Sequence, residues 1–165
     1  LRDDWAAVSV AATIGGICIG SSGVTLAHGM EHPASGLRNI VHGQGLAALT
    51  PAVTAFMTGR LEAALAGSGC REESRLAADK FSCISRLLGG RGLTDCACRI
   101  RALLASLDLT PSLGVLGISA ADIPWLVENC RKVSAGNLMN TPLSVEEEDM
   151  AAIYARAIAG EEESC

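Results

Sequence analysis

The sequence predicts an all-α fold, on three observations. Apolar residues recur at helical spacing, and nowhere does a sustained alternating run of β-branched residues appear. Hydrophobic residues make up 49% of the chain but aromatics only 3%, so the core must be built from Ala, Leu, Val, Ile and Gly. Such small side chains let helices approach closely, which favours packed helices over an aromatic-rich sandwich. Cap residues, prolines and glycine breaks punctuate the chain where helices should start and stop. At 165 residues there is enough chain for one domain with a real core.

Taken in order, residues 3–19 read as a first helix, with Asp3 and Asp4 at the positive end of its dipole. Glycines 20 and 23 interrupt it. A second helix from about Ser22 carries His28 and His32, which are i and i+4 and so share a face. Pro33 lacks an amide hydrogen and disfavours helical geometry at His32, so it should kink or end that helix. Residues 36–41 form a connection. Gly43 and Gly45 open a third apolar helix, interrupted at Pro51 and running to about Thr58, and Gly67 to Gly69 make a turn.

Helices then follow at roughly 72–88, with Leu76, Ala77, Phe81, Ile84, Leu87 and Leu88 on one side, and at 93–106. Thr110, Pro111, Gly114 and Gly117 mark an irregular link. The next helix starts better at Asp122 than at Ser119, because that leaves Pro124 in the first turn. Ser144-x-x-Glu147 forms a capping box for a final helix carrying Met150, Ile153, Tyr154 and Ile158. These elements fill one helical domain over residues 1–160, and the acidic stretch 161–165 should be a disordered tail.

The charge balance of −5, with no polybasic run, argues against nucleic-acid binding. Seven cysteines, none in a C-x-x-C pair, fit buried thiols in a reducing cytoplasm better than a disulfide framework. Cys96 and Cys98 would diverge by about 200° on a helix, which is no zinc knuckle. Asp3 and Asp4 precede the apolar stretch, so that stretch is not expected to act as a secretory signal. Residues 5–27 contain no charge, a length that can cross a bilayer, but Gly, Ser and Thr dilute the run. A helix buried on most sides of a soluble protein has the same composition, and that is the expectation here.

Every histidine in the chain, His28, His32 and His42, falls in one window. Imidazole is the commonest metal ligand and the side chain best suited to proton transfer near neutral pH, so this clustering suggests a site. Locally, His28-Gly-Met-Glu31-His32 matches H-x-x-E-H, the inverted zincin signature of two zinc ligands and a glutamate base. That chemistry needs a helix continuing past the second histidine, which Pro33 opposes. The longer spacing offers a different arrangement, with His28 and His42 as ligands and His32 one turn away, free for proton transfer. A non-catalytic helical interaction module would show the same apolar stripes.

His28-Gly-Met-Glu-His32-Pro33, then His42-Gly43 with His42 ten positions after His32, and an apolar helix containing Pro51, resembles the iron-containing (group III) alcohol dehydrogenases. Trp5 to Gly23 is similar to that family's Ala/Gly-rich helix, Ile123-Pro-Trp-Leu-Val-Glu-Asn to a late helix, and Asn137-Leu-Met-Asn140-Thr-Pro142-Leu-Ser144 to its closing segment. Glu31 and Ser35 resemble the butanol-dehydrogenase-like branch, in which Glu31 would be a tolerated neighbour rather than an essential base.

The resemblance implies the C-terminal helical bundle of the dehydroquinate synthase-like, iron-containing alcohol dehydrogenase fold. It implies His28 and His42 as two of four ligands to Fe²⁺, sometimes Zn²⁺, and His32 as the catalytic histidine beside substrate and nicotinamide. The family's other two ligands, an Asp and a His four residues apart upstream, have no counterpart here, nor does its glycine-rich phosphate loop. The chain thus corresponds to most of the metal-binding domain of an NAD- or NADP-dependent enzyme that interconverts an alcohol and an aldehyde or ketone. Its expected partners are that small substrate, a missing nucleotide-binding domain and further copies of itself, with no nucleic acid and no membrane, in the cytoplasm.

Overall fold

A computed structural model describes residues 2–67, 70–109 and 112–160. Eight α-helices and no strand are found among them: α1 (Arg2–Ser22), α2 (Leu26–Arg38), α3 (His42–Ala66), α4 (Glu72–Leu87), α5 (Cys96–Ser106), α6 (Ile123–Val133), α7 (Ala135–Met139) and α8 (Glu147–Ala159). The all-α class expected from the sequence is the class observed. The glycine turn at 67–69 lies partly outside the described residues, and Thr110, Pro111 and the tail 161–165 lie wholly outside them.

α3 is the axis of the bundle and packs against α2, α4, α5 and α8. α2 also meets α6 and α7, and α6 lies on α8. The main core gathers Leu26 and Met30 of α2, Leu49, Val53 and Met57 of α3, Leu126 and Cys130 of α6, and Met150, Ile153 and Tyr154 of α8. Burying each large apolar side chain stabilises the fold by about 1.5–3 kcal/mol. A smaller cluster of Leu61, Ala77 and Ala78 joins α4 to α3.

Two prolines expected to interrupt helices do not. α2 continues five residues past Pro33 to Arg38, and α3 runs unbroken through Pro51. At Pro33 the reason is tertiary. The carbonyl of Gly29 loses its helical donor to the proline, but Ser134 Oγ donates to it at 3.0 Å. One residue on, the Tyr154 hydroxyl donates to the Met30 carbonyl at 2.6 Å. The α6–α7 junction therefore supplies the donor that Pro33 removes, and α8 adds a further one at the next carbonyl.

The cap of the final helix is also displaced. A capping box does form, but from Glu146 and Asp149 rather than Ser144 and Glu147, with the Glu146 N–H donating to Asp149 Oδ2 at 3.1 Å. A carboxylate accepts from backbone N–H as a serine hydroxyl does, and acids gain from the dipole there. At α6 the expectation of Asp122 as cap with Pro124 in the first turn is met. Ser119 caps the preceding 3-10 turn, Ala120–Asp122, donating to Asp122 Oδ2 from both backbone and side chain at 2.8 Å.

α4 turns a different face inward from the one its leucines suggest. Ala77, Ala78, Ser74 and Ser85 are buried, whereas Leu76, Ile84 and Leu87 are exposed. Small residues let α4 sit closer to α3 than leucines would allow. Among the described cysteines Cys96 and Cys130 are buried thiols, but Cys18 and Cys83 are exposed and Cys98 is disulfide-bonded. The expectation of buried thiols thus holds for Cys96 and Cys130 and not for Cys18, Cys83 or Cys98.

α1 departs most from expectation. None of its residues is buried; Trp5 is 72% and Ile17 65% accessible. Its Ala, Gly, Ser and branched residues are spread around the helix without a distinct apolar stripe, so it presents no single face to the bundle. By length and composition it is the one helix among the described residues able to cross a membrane. Its C-terminal end is tied down by Asn140, whose Nδ2 donates to the carbonyls of Ser22 at 2.7 Å and Val24 at 3.2 Å.

Candidate metal and proton-transfer site

α2 and α3 are joined by residues 39–41, where Asn39 takes the left-handed conformation at φ 52° and its N–H bonds the Ser35 carbonyl. Asparagine tolerates that region better than most residues. This tight connection folds the start of α3 back over α2. His42, the first residue of α3, consequently lands above the α2 face that carries His28 and His32. The ring centroids lie 5.4 Å apart for His28 and His42, 6.1 Å for His32 and His42, and 6.3 Å for His28 and His32. All three sequence-predicted site residues are therefore neighbours.

Beneath the rings lies Glu31. Its side chain is 1% accessible, against 55% for His42, and its Oε2 is 2.6 Å from His42 Nδ1. Its other oxygen accepts from Ser35 Oγ, one turn along α2. A third residue makes this possible: a Cβ on Gly45 would stand 2.8 Å from Glu31 Oε1 and 3.0 Å from its Cγ. Only glycine leaves room for the carboxylate. The sequence reading of Glu31 as a tolerated neighbour misses this contact, because Gly45 and His42 reach Glu31 only once α3 folds back.

Long-range hydrogen bonds hold α2 in place. Besides the Ser134 and Tyr154 contacts, Thr141 Oγ1 accepts from the Leu26 N–H at 3.0 Å and donates to the Asn137 carbonyl at 2.9 Å. It caps α2 from 115 residues away, since Thr25 itself makes no side-chain cap. Arg38, near the other end, donates to the Gly117 carbonyl at 3.0 Å and to Asp122 at 2.7 Å. Nothing local in the sequence marks Ser134, Thr141 or Tyr154 as supports of the histidine helix.

Burial lowers the pKa of His28, and the neighbouring His42 and His32 push it further down against the opposing pull of Glu31. A neutral imidazole is the form that ligates metal. The ligand atoms of Glu31, His32 and His42 all lie within 4.8 Å of one another. The largest groove described, about 660 Å³ between α6 and α8, is lined by Glu128, Arg131 and Glu147 among others and by no histidine.

The architecture has solved relatives. The archaeal halo-thermophilic Red Sea brine pool alcohol dehydrogenase ADH/D1 bound to NZQ superimposes with TM-score 0.68 at 27% identity, covering 82% of this chain and 33% of that one. A histidine-to-alanine mutant of that enzyme gives 0.67 with the same identity and coverage. A 1,3-propanediol oxidoreductase matches with TM-score 0.64 at 25% identity, over 87% of this chain and 35% of that one. The chain thus spans about a third of the length of these relatives. No curated protein matches it significantly. The profile of the Fe-containing alcohol dehydrogenase family, C-terminal, matches residues 2–158. With that match over nearly its whole length and an all-helical fold shared with enzymes of this kind, the chain belongs to the C-terminal part of the Fe-containing alcohol dehydrogenase family.

Proposed function

We propose that this chain is the metal-binding part of an alcohol dehydrogenase that interconverts an alcohol and an aldehyde or ketone with NAD or NADP. The observation that carries the reading is the convergence of His28, His32 and His42 over one buried carboxylate. Imidazole nitrogens suit Fe²⁺ or Zn²⁺, so the donor set fits the metal that the family name implies. Two donor sets share this surface, His28 with His42, and Glu31 with His32 and His42. The first is preferred, because Glu31 already spends its oxygens on His42 Nδ1 and Ser35 and is inaccessible. The same burial removes Glu31 from the role of a water-activating base, which sets the H-x-x-E-H peptidase reading aside.

A metal held there supplies a Lewis acid to an alcohol oxygen. His32, exposed and one helical turn from His28, is placed to take the proton that the alcohol gives up. The exposed rings of His32 and His42 leave room for a nucleotide-binding domain and the substrate. Alone, the chain is expected to be inactive towards alcohols, to work in the cytoplasm away from membranes and nucleic acid, and to self-associate.

Titration of the 165-residue chain with Zn²⁺ or Fe²⁺ tests the site. His28→Ala and His42→Ala should each weaken binding by more than the 10–100-fold or so typical of outer-shell losses, while His32→Ala should leave it intact. In an enzyme containing this chain and a nucleotide-binding domain, His32→Ala should lower alcohol-dependent NAD(P)⁺ reduction by about 10²–10⁴-fold with metal retained. Equal metal affinity in all three variants would refute the assignment.

A further inference from the structure

We infer that Glu31 is the positioning residue of the site: it grips His42 through Nδ1 and so presents the bare Nε2 to the histidine cluster. The inference rests on the metal reading above only for its functional consequence; the geometry stands by itself. An ionised carboxylate can only accept, so across the 2.6 Å contact a neutral His42 donates from Nδ1–H and keeps its Nε2 lone pair free. The carboxylate is in turn fixed from two sides. Ser35 Oγ donates to the second oxygen, and the missing Cβ of Gly45 gives the carboxylate its seat. Three residues on two helices thus set one ring, through contacts that no short local motif encodes.

A buried carboxylate is costly unless it is partnered, and the partners of Glu31 are Ser35 and His42. Ligating histidines commonly give their second nitrogen to a carboxylate, which fixes tautomer and orientation; losing that partner typically costs about 10–100-fold in metal affinity. Glu31, Ser35 and Gly45 provide that arrangement for His42. His42 stands at the exposed start of α3, where little else restrains its ring.

Two readouts test this on the 165-residue chain. The first is metal-free: nitrogen NMR of His42 in its neutral form. Wild type should show a single Nδ1–H tautomer, and Glu31→Ala should shift it towards Nε2–H. The second is Co²⁺ binding with its visible spectrum. Glu31→Ala should lower affinity about 10–100-fold with band positions unchanged, because Glu31 is outside the coordination sphere. Glu31→Gln keeps the shape and one acceptor oxygen, and should fall between wild type and alanine. If Glu31→Ala does not fold, Gly45→Ala serves, since its new Cβ displaces the carboxylate without removing it and should reproduce the loss of the Nδ1–H signature. An unchanged His42 tautomer in these variants would overturn the inference. So would a Co²⁺ spectrum that changes band positions when Glu31 is replaced, which would make Glu31 a ligand. Absence of Co²⁺ binding by wild type would instead refute the metal reading, while the tautomer still decides the role of Glu31.

Discussion

Tyr154 shows how much of the site depends on a single distant side chain. It is fully buried in α8, and burial is the main cause that pushes its pKa up, so its hydroxyl stays protonated and donates to the Met30 carbonyl. That carbonyl lies beside the break that Pro33 makes in the α2 ladder. Tyr154→Phe removes this donor while keeping the ring, so the Met30 carbonyl keeps only what its own helix offers it. The cost should be about 0.5–1.5 kcal/mol, measured as a lower urea midpoint with unchanged slope. Spectral broadening should then concentrate at His28 and His32, which flank that turn of the helix. A Phe variant as stable as wild type would show that the Tyr154 bond adds nothing to the hold on α2.

At the scale of elements, the turn between α4 and α5 carries its own titratable lock. Arg91 donates to Asp95 from its backbone N–H at 2.9 Å and from its guanidinium at 2.9 and 3.1 Å. The Arg91 side chain is the largest cause holding the Asp95 carboxyl down at about 2, against an ordinary value of 3.8. Because the folded chain is the more acidic here, unfolding takes up a proton as the pH falls. The stabilisation is therefore whole above about pH 4 and fades as the pH drops towards 2. Arg91→Ala should bring the Asp95 titration back towards its ordinary value, read by carboxyl-carbon NMR. The variant should also lose the steepest part of the acid destabilisation between those pH values. The link at residues 112–118 is anchored differently: Leu113 N–H and Ser112 Oγ each donate at 2.8 Å to the last carbonyls of α8, Ala157 and Ile158. Such bonds satisfy acceptors that a helix C-terminus otherwise leaves open.

Across the whole molecule, α1 is set apart. It contributes no buried residue, and Val8, Val10, Ile14, Ile17 and Ile19 all remain exposed. An apolar surface of that extent in water promotes association. The chain is expected to form oligomers or aggregates in light scattering, and the double substitution Ile14→Lys, Ile17→Lys should reduce them. The unfolding midpoint of the bundle should hardly move, because α1 gives nothing to the core. A monodisperse wild-type monomer in water would contradict this, and a midpoint shift with the lysine pair would show that α1 packs on the bundle in solution.

The sequence by itself determined the helical class, most helix locations and the identity of the three histidines worth watching. Those features rest on local causes: 3.6-residue periodicity, caps near Asp122, and imidazole chemistry at i and i+4. The inward face of α8 was legible for the same reason, as Met150, Ile153 and Tyr154 recur on one side and are buried there. Only the tertiary structure decided that Pro33 does not end α2, since the donor that replaces its missing N–H comes from Ser134, more than a hundred residues away. It alone decided that α4 turns its alanines inward and that α1 stands free. It alone brought Glu31, Ser35 and Gly45 under His42, because that contact exists only where the α2–α3 turn reverses the chain. A sequence states which groups a chain owns and which neighbours on a helix share a face. Which buried acceptor meets which distant donor is settled by packing, and the candidate site is built from those meetings.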